Sequence, residues 1–575
     1  MADILKSRRF EKIEYIEKGW SRDKKYCVIE TDGTKYLLRI SSIDRYENRK
    51  ELFEMLKQVS DLGIPMCEPV EFGTCDDNDL FQGGVYSLQS WIDGDDLETI
   101  LPLLPETEQY VLGLQSGKIL KKMHSIPAPD SQEEWFTRFN NKADRIIEWY
   151  KECGIRFAGD DFVLDYVEQN RNLLENRPQC FQHGDYHTGN MMLKNDELII
   201  IDFDRYDFGD PWEEFNRITF SAKLSPYFAT GQLRGYFDGE PPEEFFRLLT
   251  FYISVNTLAA IPWAIPYGQN DVDTMMNQTQ DILAWFDNMY NTVPTWYLKD
   301  FYIQWIDGIP YKLKEPFDFS FISKYGKVFK VFDDQDSGNI CFGVQKDEKR
   351  FFIKYAGAET ARACVGKNIS ISNLKASAQV YWDLKHINLV NILYSEDIGN
   401  GFSVVYDWVD AEYMGRMYPL SRKKFMQLPL ESRVKVFEEI LLFHTHVASC
   451  GYVAVDFYDG SIMYDFINEK AVICDIDLYV KTPFINPMGR LWGSGRFMSP
   501  EEFILGAQID EITNVYTMGA TAFALFSEYD RSLEAWPLAK SLYGVVNKAV
   551  NDDRSKRQQS IKQFFSEWKD AFVEE

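Results

Sequence analysis

Paired cysteines are missing from this sequence. Its nine cysteines, at positions 27, 67, 75, 153, 180, 341, 364, 450 and 474, form no CxxC motif, so neither a zinc site nor a disulfide framework is implied. They read as reduced thiols, so a cytoplasmic setting is expected. An apolar leader is missing as well: MADILKSRRFEKIEYIEKG has basic residues but no apolar core behind them, and no signal peptide is expected. Long apolar runs are scarce. The most apolar span, LLTFYISVNTLAAIPWAIPYG from Leu248, is interrupted by Asn256, Pro262 and Pro266 and is expected to be a buried helix, with no membrane partner. Positive charge is in deficit, with 62 basic against 89 acidic residues and a net charge of -27. That balance argues against a nucleic-acid partner, whose phosphates would be repelled, and suits a cationic small molecule.

What is present is enough for real cores: 45% hydrophobic and 15% aromatic residues over 575 positions, a length that allows about two to four domains. The stretch from Phe181 to Trp212, FQHGDYHTGNMMLKNDELIIIDFDRYDFGDPW, sets out the parts of a phosphoryl-transfer site in order. Asp185 follows His183 and Gly184 in a turn, Asn190 comes five residues later, and the apolar run Leu198–Ile201 delivers Asp202 at its end. Transfer to a hydroxyl needs one carboxylate to accept or orient the attacking proton. It also needs a second carboxylate and an amide oxygen to hold Mg²⁺ against the phosphates. Asp185 is the candidate base, and Asn190 with Asp202 the candidate metal ligands.

The spacing matches the protein-kinase catalytic loop HRDxxxxN and its later metal-binding Asp. The wording HGDxHxGN followed by IDFD more closely resembles the aminoglycoside phosphotransferase family, kinase-like enzymes that phosphorylate hydroxyls of small aminocyclitols, amines and sugars. The resemblance implies ATP and Mg²⁺ as cofactors and further site residues. Tyr26–Glu30 and Lys35–Ile40 read as a hairpin around Asp32-Gly33. The turn before it, with Gly19 and Ser21, would lie over the phosphates. Arg39, in YLLRIS, takes the place of the third-strand lysine that grips the nucleotide. The following helix, Asp44–Leu62, offers Glu51 as its partner, with Glu54 and Glu47 as nearby rivals. VYSLQSWIDGDDL from Val85 resembles the hinge, where backbone groups from Gln89 to Trp91 would meet adenine. His124 reads as a helix-terminal structural histidine, and Asp204 and Asp210 as acids supporting the site. Residues 213–290 read as helices in which Glu213, Glu214, Glu240, Glu243, Glu244 and Asp271 offer carboxylates to a cationic acceptor.

The order of elements then returns. After a linker rich in Gly308, Pro310 and Pro316, KRFFIK places Lys354 where a third-strand lysine belongs, with a phosphate lid expected around Gly326. VVYDWVDAE repeats the W-[IV]-D of Trp91. HTHVASCGYVAVDFYDGSIMYD and AVICDIDL put Asp456 in the base position, Ser461 where the Asn ligand is expected and Asp475 in the metal-acid position. This half resembles the eukaryotic-type Ser/Thr protein kinase family, with Glu501 expected to pair with Arg557. It departs from that family at Ser377, where the helix glutamate belongs, at Ala454 and Val455 before the base, and at Ser461.

The expected fold class is α+β: two tandem protein kinase-like bilobal domains, each with a small β-rich N-lobe and a larger, mostly helical C-lobe. The divisions are residues 1–298, a linker at 299–318, and 319–575. The expected function is ATP- and Mg²⁺-dependent phosphoryl transfer to a small, amine-bearing hydroxyl acceptor. The second domain is then either an active kinase with a protein substrate or a regulatory pseudokinase. Two alternatives stand beside it: a Ser/Thr protein kinase with a small-molecule-sensing first domain, and a nucleotide-binding scaffold without turnover.

Overall fold

The computed structural model describes residues 10–17, 23–75 and 83–573. Contacts along the chain divide it into two units, Met1–Lys299 and Asp300–Glu575.

The first unit opens on an antiparallel sheet of β1 (Phe10–Ile16), β2 (Lys24–Glu30), β3 (Lys35–Ser41), β4 (Pro69–Cys75) and β5 (Gly84–Ser90), in the order β1-β2-β3-β5-β4. The β2–β3 turn is built by its own residues: Gly33 takes φ 87°, and Asp32 accepts a 2.9 Å bond from the Thr34 amide. Helix α1 (Tyr46–Asp61) buries Leu52, Phe53, Leu56 and Val59, a helical stripe that ends at Gly63. Everything after β5 is mainly helical, and one large core runs from Leu52 to Tyr297.

Two helices of that part, α2 (Glu106–Met123) and α3 (Pro226–Phe237), cross backbone to backbone. Each carries a G-x-x-x-G pair. A Cβ on Gly113 would stand 2.1 Å from the Phe228 carbonyl oxygen, and one on Gly117 2.1 Å from that of Gln232. Reciprocally, Gly231 and Gly235 face the carbonyls of Tyr110 and Leu114 at 2.2 Å. Because the obstacle is backbone rather than a mobile side chain, the crossing cannot relax locally. Gly117→Val is therefore expected to cost at least ~3 kcal/mol, the upper end of overpacking penalties, read as a lower denaturant midpoint with an unchanged slope.

Helix α4 (Glu243–Ala264) is the apolar span of the sequence. It runs through Asn256 and Pro262 without a break, the buried helix that the sequence led us to expect. Fifteen of its residues, Pro262 among them, are buried, and that packing outweighs the roughly 3 kcal/mol a helical proline costs. Among the described residues, Glu243–Tyr267 is the one helix long and apolar enough to cross a membrane, and 72% of its most apolar 18-residue stretch is buried inside the fold.

The second unit begins where the sequence suggested a linker. Residues 302–313 instead pair as a hairpin, β6 (Tyr302–Ile306) with β7 (Ile309–Leu313). Asp307 (φ 51°) and Gly308 (φ 87°) make its turn, the Asp-Gly signal that the flanking prolines had obscured. A five-stranded sheet follows, of β8 (Lys327–Phe332), β9 (Asn339–Lys346), β10 (Lys349–Ala356), β11 (Ile392–Ile398) and β12 (Gly401–Asp407). Its order, β8-β9-β10-β12-β11, is the order of the first unit's sheet. The expected lid at Gly326 is corrected: Gly326 lies before β8, where a Cβ would strike the Gln345 carbonyl at 2.3 Å, and the β8–β9 turn is Asp333–Gly338. Lower in the unit, Arg557 bonds Glu501 at 2.7 and 3.0 Å, and Thr513 adds a third bond to the same carboxylate at 3.0 Å.

Candidate active site

In the first unit the chain enters the site on a short strand, Cys180–Gln182, and leaves it on another, Asp207–Gly209, which pairs with the first. Between them, 191–194 and 197–200 form a hairpin, so the turn holding Asp185 and the strand end holding Asp202 are brought side by side. His183 ties them. Its ring is fully buried, its Nε2–H donates to the Ile201 carbonyl at 3.0 Å, and its Nδ1 accepts from the Asp185 amide at 3.3 Å. A carbonyl can only accept and an amide can only donate, so this is the neutral Nε2–H tautomer; burial lowers the histidine's pKa. Glu214, also buried, accepts from the Gly184 amide at 3.0 and 3.2 Å, and Asn190 Nδ2 donates to the Asp185 carbonyl at 2.9 Å.

The Asp185 carboxylate faces Arg217 Nε at 3.4 Å, Arg205 Nη1 at 3.7 Å and His187 Nε2 at 3.7 Å. Burial pushes its pKa up, but His187 and the two guanidiniums outweigh burial and hold it well below the usual carboxylate range. Asp202 adopts φ 66°, which turns its carboxylate out of the strand end. One of its oxygens is buried without a hydrogen-bond partner, 3.7 Å from Arg39 Nη1. With its Nδ2 engaged, Asn190 turns its amide oxygen the other way. These oxygens fit a hard divalent cation. Among the described residues no group of three or more His, Cys, Asp or Glu is arranged to hold a metal by itself, so further oxygens would come from phosphates and water.

Arg39 lines a small cavity with Leu52, Leu56, Cys67, Gln89 and Asp202. Glu51 is not its partner: it is exposed, and Arg39 bonds Asp204 instead. Asp204 also takes Arg49 Nη1 at 2.8 Å, and Arg49 reaches Ser41 Oγ at 3.0 Å and Asp23. The helix contributes an arginine where an acid was expected, because the acid comes from the strand end two residues after Asp202. Gln89 is buried in β5 opposite Leu37. Trp91 directs its indole N–H to Asp93 at 3.0 Å. Gly19 and Ser21 lie outside the described residues. Asp210 is fully buried and satisfied by Arg177, Tyr252 and the Trp212 amide. His124 caps α2 and bonds Tyr236 at 2.9 Å. Of the acids offered to a cationic acceptor, Glu213, Glu214 and Glu240 are engaged by Lys142, Gly184 and Arg234, while Glu243 and Glu244 are exposed.

The second unit repeats the frame with other residues. Asp475 adopts φ 53°. Lys354 stands 3.6 Å from it and bonds Asp477, again two residues on. Ser377 lies buried in the helix and bonds its own Leu374 carbonyl. The Cys474 amide donates to the Ser461 carbonyl at 3.0 Å, as Ile201 does to Asn190. Around Asp456 the environment differs. Tyr458 stands where the first unit has His187, and Leu478 where it has Arg205. Burial, then Asp475 and Asp336, push Asp456 up to about 7 against a weaker pull from Arg490. A carboxyl raised in the folded state is protonated there while the unfolded chain ionises, so it costs stability progressively between about pH 4 and pH 7, at ~1.4 kcal/mol per pH unit at most. Asp456→Asn is thus expected to raise the melting temperature by several degrees at pH 8 and to leave it unchanged near pH 4, by scanning calorimetry.

Residues 12–246 match the model of the phosphotransferase enzyme family, APH. No curated protein matches the chain. Among solved structures, a ternary complex of a thermostable mutant of aminoglycoside phosphotransferase APH(4)-Ia with ADP and hygromycin B is 16% identical. The match covers 49% of this chain and 96% of that one with a TM-score of 0.37. The amicoumacin kinase hAmiN in complex with AMP-PNP, Ca²⁺ and Ami is 15% identical over 51% of this chain and 94% of that one, TM-score 0.37. ADP-bound APH(2'')-Ib is 15% identical over 48% and 96%, TM-score 0.35.

Proposed function

We propose that the first unit transfers the γ-phosphate of ATP to a hydroxyl of a small, amine-bearing molecule in the cytoplasm. The observation that supports this reading is that His183 bonds both the Ile201 carbonyl beside Asp202 and the Asp185 amide, with Asn190 bonded to the Asp185 carbonyl and Arg39 3.7 Å from Asp202. Asp185 orients the acceptor hydroxyl. Its depressed pKa makes it a weak base, which suits a loose transition state in which the proton leaves late. Arg39, fixed by Asp204, grips the nucleotide phosphates. Asn190 and Asp202 would hold Mg²⁺, which when bound neutralises charge between the β- and γ-phosphates. Arg205 and Arg217 flank the base, so the acceptor presents its hydroxyl there and its amines elsewhere. The second unit, with the same sheet order and with Lys354, Asp456 and Asp475 in matching places, is a second kinase-like domain. Ser377, Ala454 and Ser461 favour a regulatory role for it.

The test is a screen of aminoglycosides, polyamines and aminosugars for ligands that raise the melting temperature beside an ATP analogue. ATP consumption and ³¹P NMR of the product then follow on the hits. A phosphate monoester signal is the expected result; no ATP consumption with any acceptor rejects turnover.

A further inference from the structure

Beside Asp185 in the first unit the charges do not balance. Three short elements converge on the turn that carries it. The turn Phe203–Arg205 sets the Arg205 carbonyl against Gly184, where a Cβ would stand 1.9 Å from that oxygen. The turn Glu213–Arg217 is tied to the Gly184 amide through the buried Glu214. The helix Ile218–Leu224 lays Phe220 beside the His187 ring, with centroids 5.2 Å apart, and its Ser221 hydroxyl accepts from the Thr188 amide at 3.2 Å. These contacts fix where the side chains of Arg205 and Arg217 begin. Both guanidiniums then reach the one carboxylate of Asp185, at 3.7 and 3.4 Å.

Two guanidiniums on one carboxylate leave a positive charge over. Among the described residues neither arginine has another acid within 4.0 Å, and Arg217 Nε is buried without a hydrogen-bond partner. Arg39 and Arg49, by contrast, each bond Asp204 directly. Both side chains beside Asp185 stay open to an incoming molecule, that of Arg205 by half and that of Arg217 by a quarter. When an acceptor hydroxyl takes an Asp185 oxygen, the two guanidiniums lose part of the only negative charge beside them. A carboxylate on the acceptor restores it, because its two oxygens match the planar fork of an arginine. An ammonium at the same place is repelled by both.

We propose that the acceptor carries a carboxylate close to the hydroxyl that is phosphorylated, held by Arg205 and Arg217, with its amine farther along the molecule. Within the amine-bearing class this selects hydroxy acids over purely cationic amines, and Arg205 and Arg217 become the residues that make the selection. The inference rests on the reading of Asp185 as the group that orients the acceptor hydroxyl.

The full chain is probed by saturation-transfer NMR at fixed ionic strength without nucleotide. The probes are glycolate and L-serine, beside their counterparts without a carboxylate, ethylene glycol and ethanolamine. Signal from glycolate or L-serine and none from the counterparts is expected. Arg205→Gln and Arg217→Gln are each expected to cut that signal at least fivefold; Arg205→Gln, at a half-exposed side chain, does so with an unchanged melting temperature. Asp185→Asn is expected to raise the signal at least twofold, because the acid that competes for the two guanidiniums is gone. Addition of AMP-PNP with MgCl₂ leaves the signal in place. The proposal is overturned if neither carboxylate gives a signal, if the arginine substitutions leave it unchanged, if Asp185→Asn lowers it, or if AMP-PNP displaces it, which would assign the pair to the γ-phosphate. Carboxylate binding with the expected responses, beside no phosphoryl transfer to any acceptor, rejects turnover and keeps the site. Transfer whose acceptor KM is unmoved by Arg205→Gln rejects the site and keeps turnover.

Discussion

Asp185→Asn is expected to lower kcat for the proposed phosphoryl transfer by about 10²–10⁴-fold, the range that a positioned acid–base group contributes, and to leave the affinity for an ATP analogue within a few-fold of wild type. The substitution keeps the shape of the side chain and removes its charge. The turn survives, because its anchors are the Glu214 bonds to Gly184 and the Asn190 bond to a backbone carbonyl, none of which uses the Asp185 carboxylate. Arg205 and Arg217 are left facing a neutral amide, which raises the local positive potential. The loss therefore falls on the acceptor hydroxyl, not on the phosphates. Asp456→Asn, assayed alongside, is expected to leave this rate unchanged. Wild-type turnover in Asp185→Asn with loss in Asp456→Asn would move the chemistry to the second unit.

What the sequence made legible is local. The Asp185–Asn190–Asp202 spacing, the Asp32-Gly33 hairpin, the α1 stripe and the repeated order of elements all rest on neighbours within some twenty residues, where turn chemistry and periodicity act. What it hid is decided at long range. Glu51 was the expected partner of Arg39 because a helix acid fills that role in kinases, but the carboxylate comes from Asp204, 165 residues away, and Arg49 takes the helix position. Asp204 was visible as a supporting acid; its pairing was not. Asp477 repeats that arrangement and was overlooked, although CDID beside IDFD was the available signal. The double G-x-x-x-G of α2 and α3 was equally readable as a pair of close-packing faces. The hairpin at 302–313 was masked by its prolines, and the lid was sought at a glycine although the turn is acidic.

The second large effect falls on the buried cluster behind Arg39. Arg49→Ala is expected to destabilise the first unit by about 3 kcal/mol, the lower end of the cost of breaking a buried ion pair by removing one partner. Arg49 bonds Ser41, Asp23 and Asp204 at once, and its side chain is 9% exposed against 2% for Asp23. Without it, Asp23 retains Arg45 at 3.0 Å, which is why the cost stays at the lower end, while Asp204 retains Arg39. The pairs are buried, so raising salt to 0.5 M changes the loss little, in contrast with a surface bridge. A second consequence separates this cluster from mere packing: Asp204, relieved of one guanidinium, swings with Arg39, and KM for ATP rises while kcat with saturating ATP changes less. The double variant Asp23→Asn/Arg49→Ala is expected to lose less than the two single losses combined, because the charge left unpaired by one substitution is removed by the other. Strict additivity in that cycle, with KM unmoved, would mean that Arg49 only fills space and that Arg39 holds its place without it.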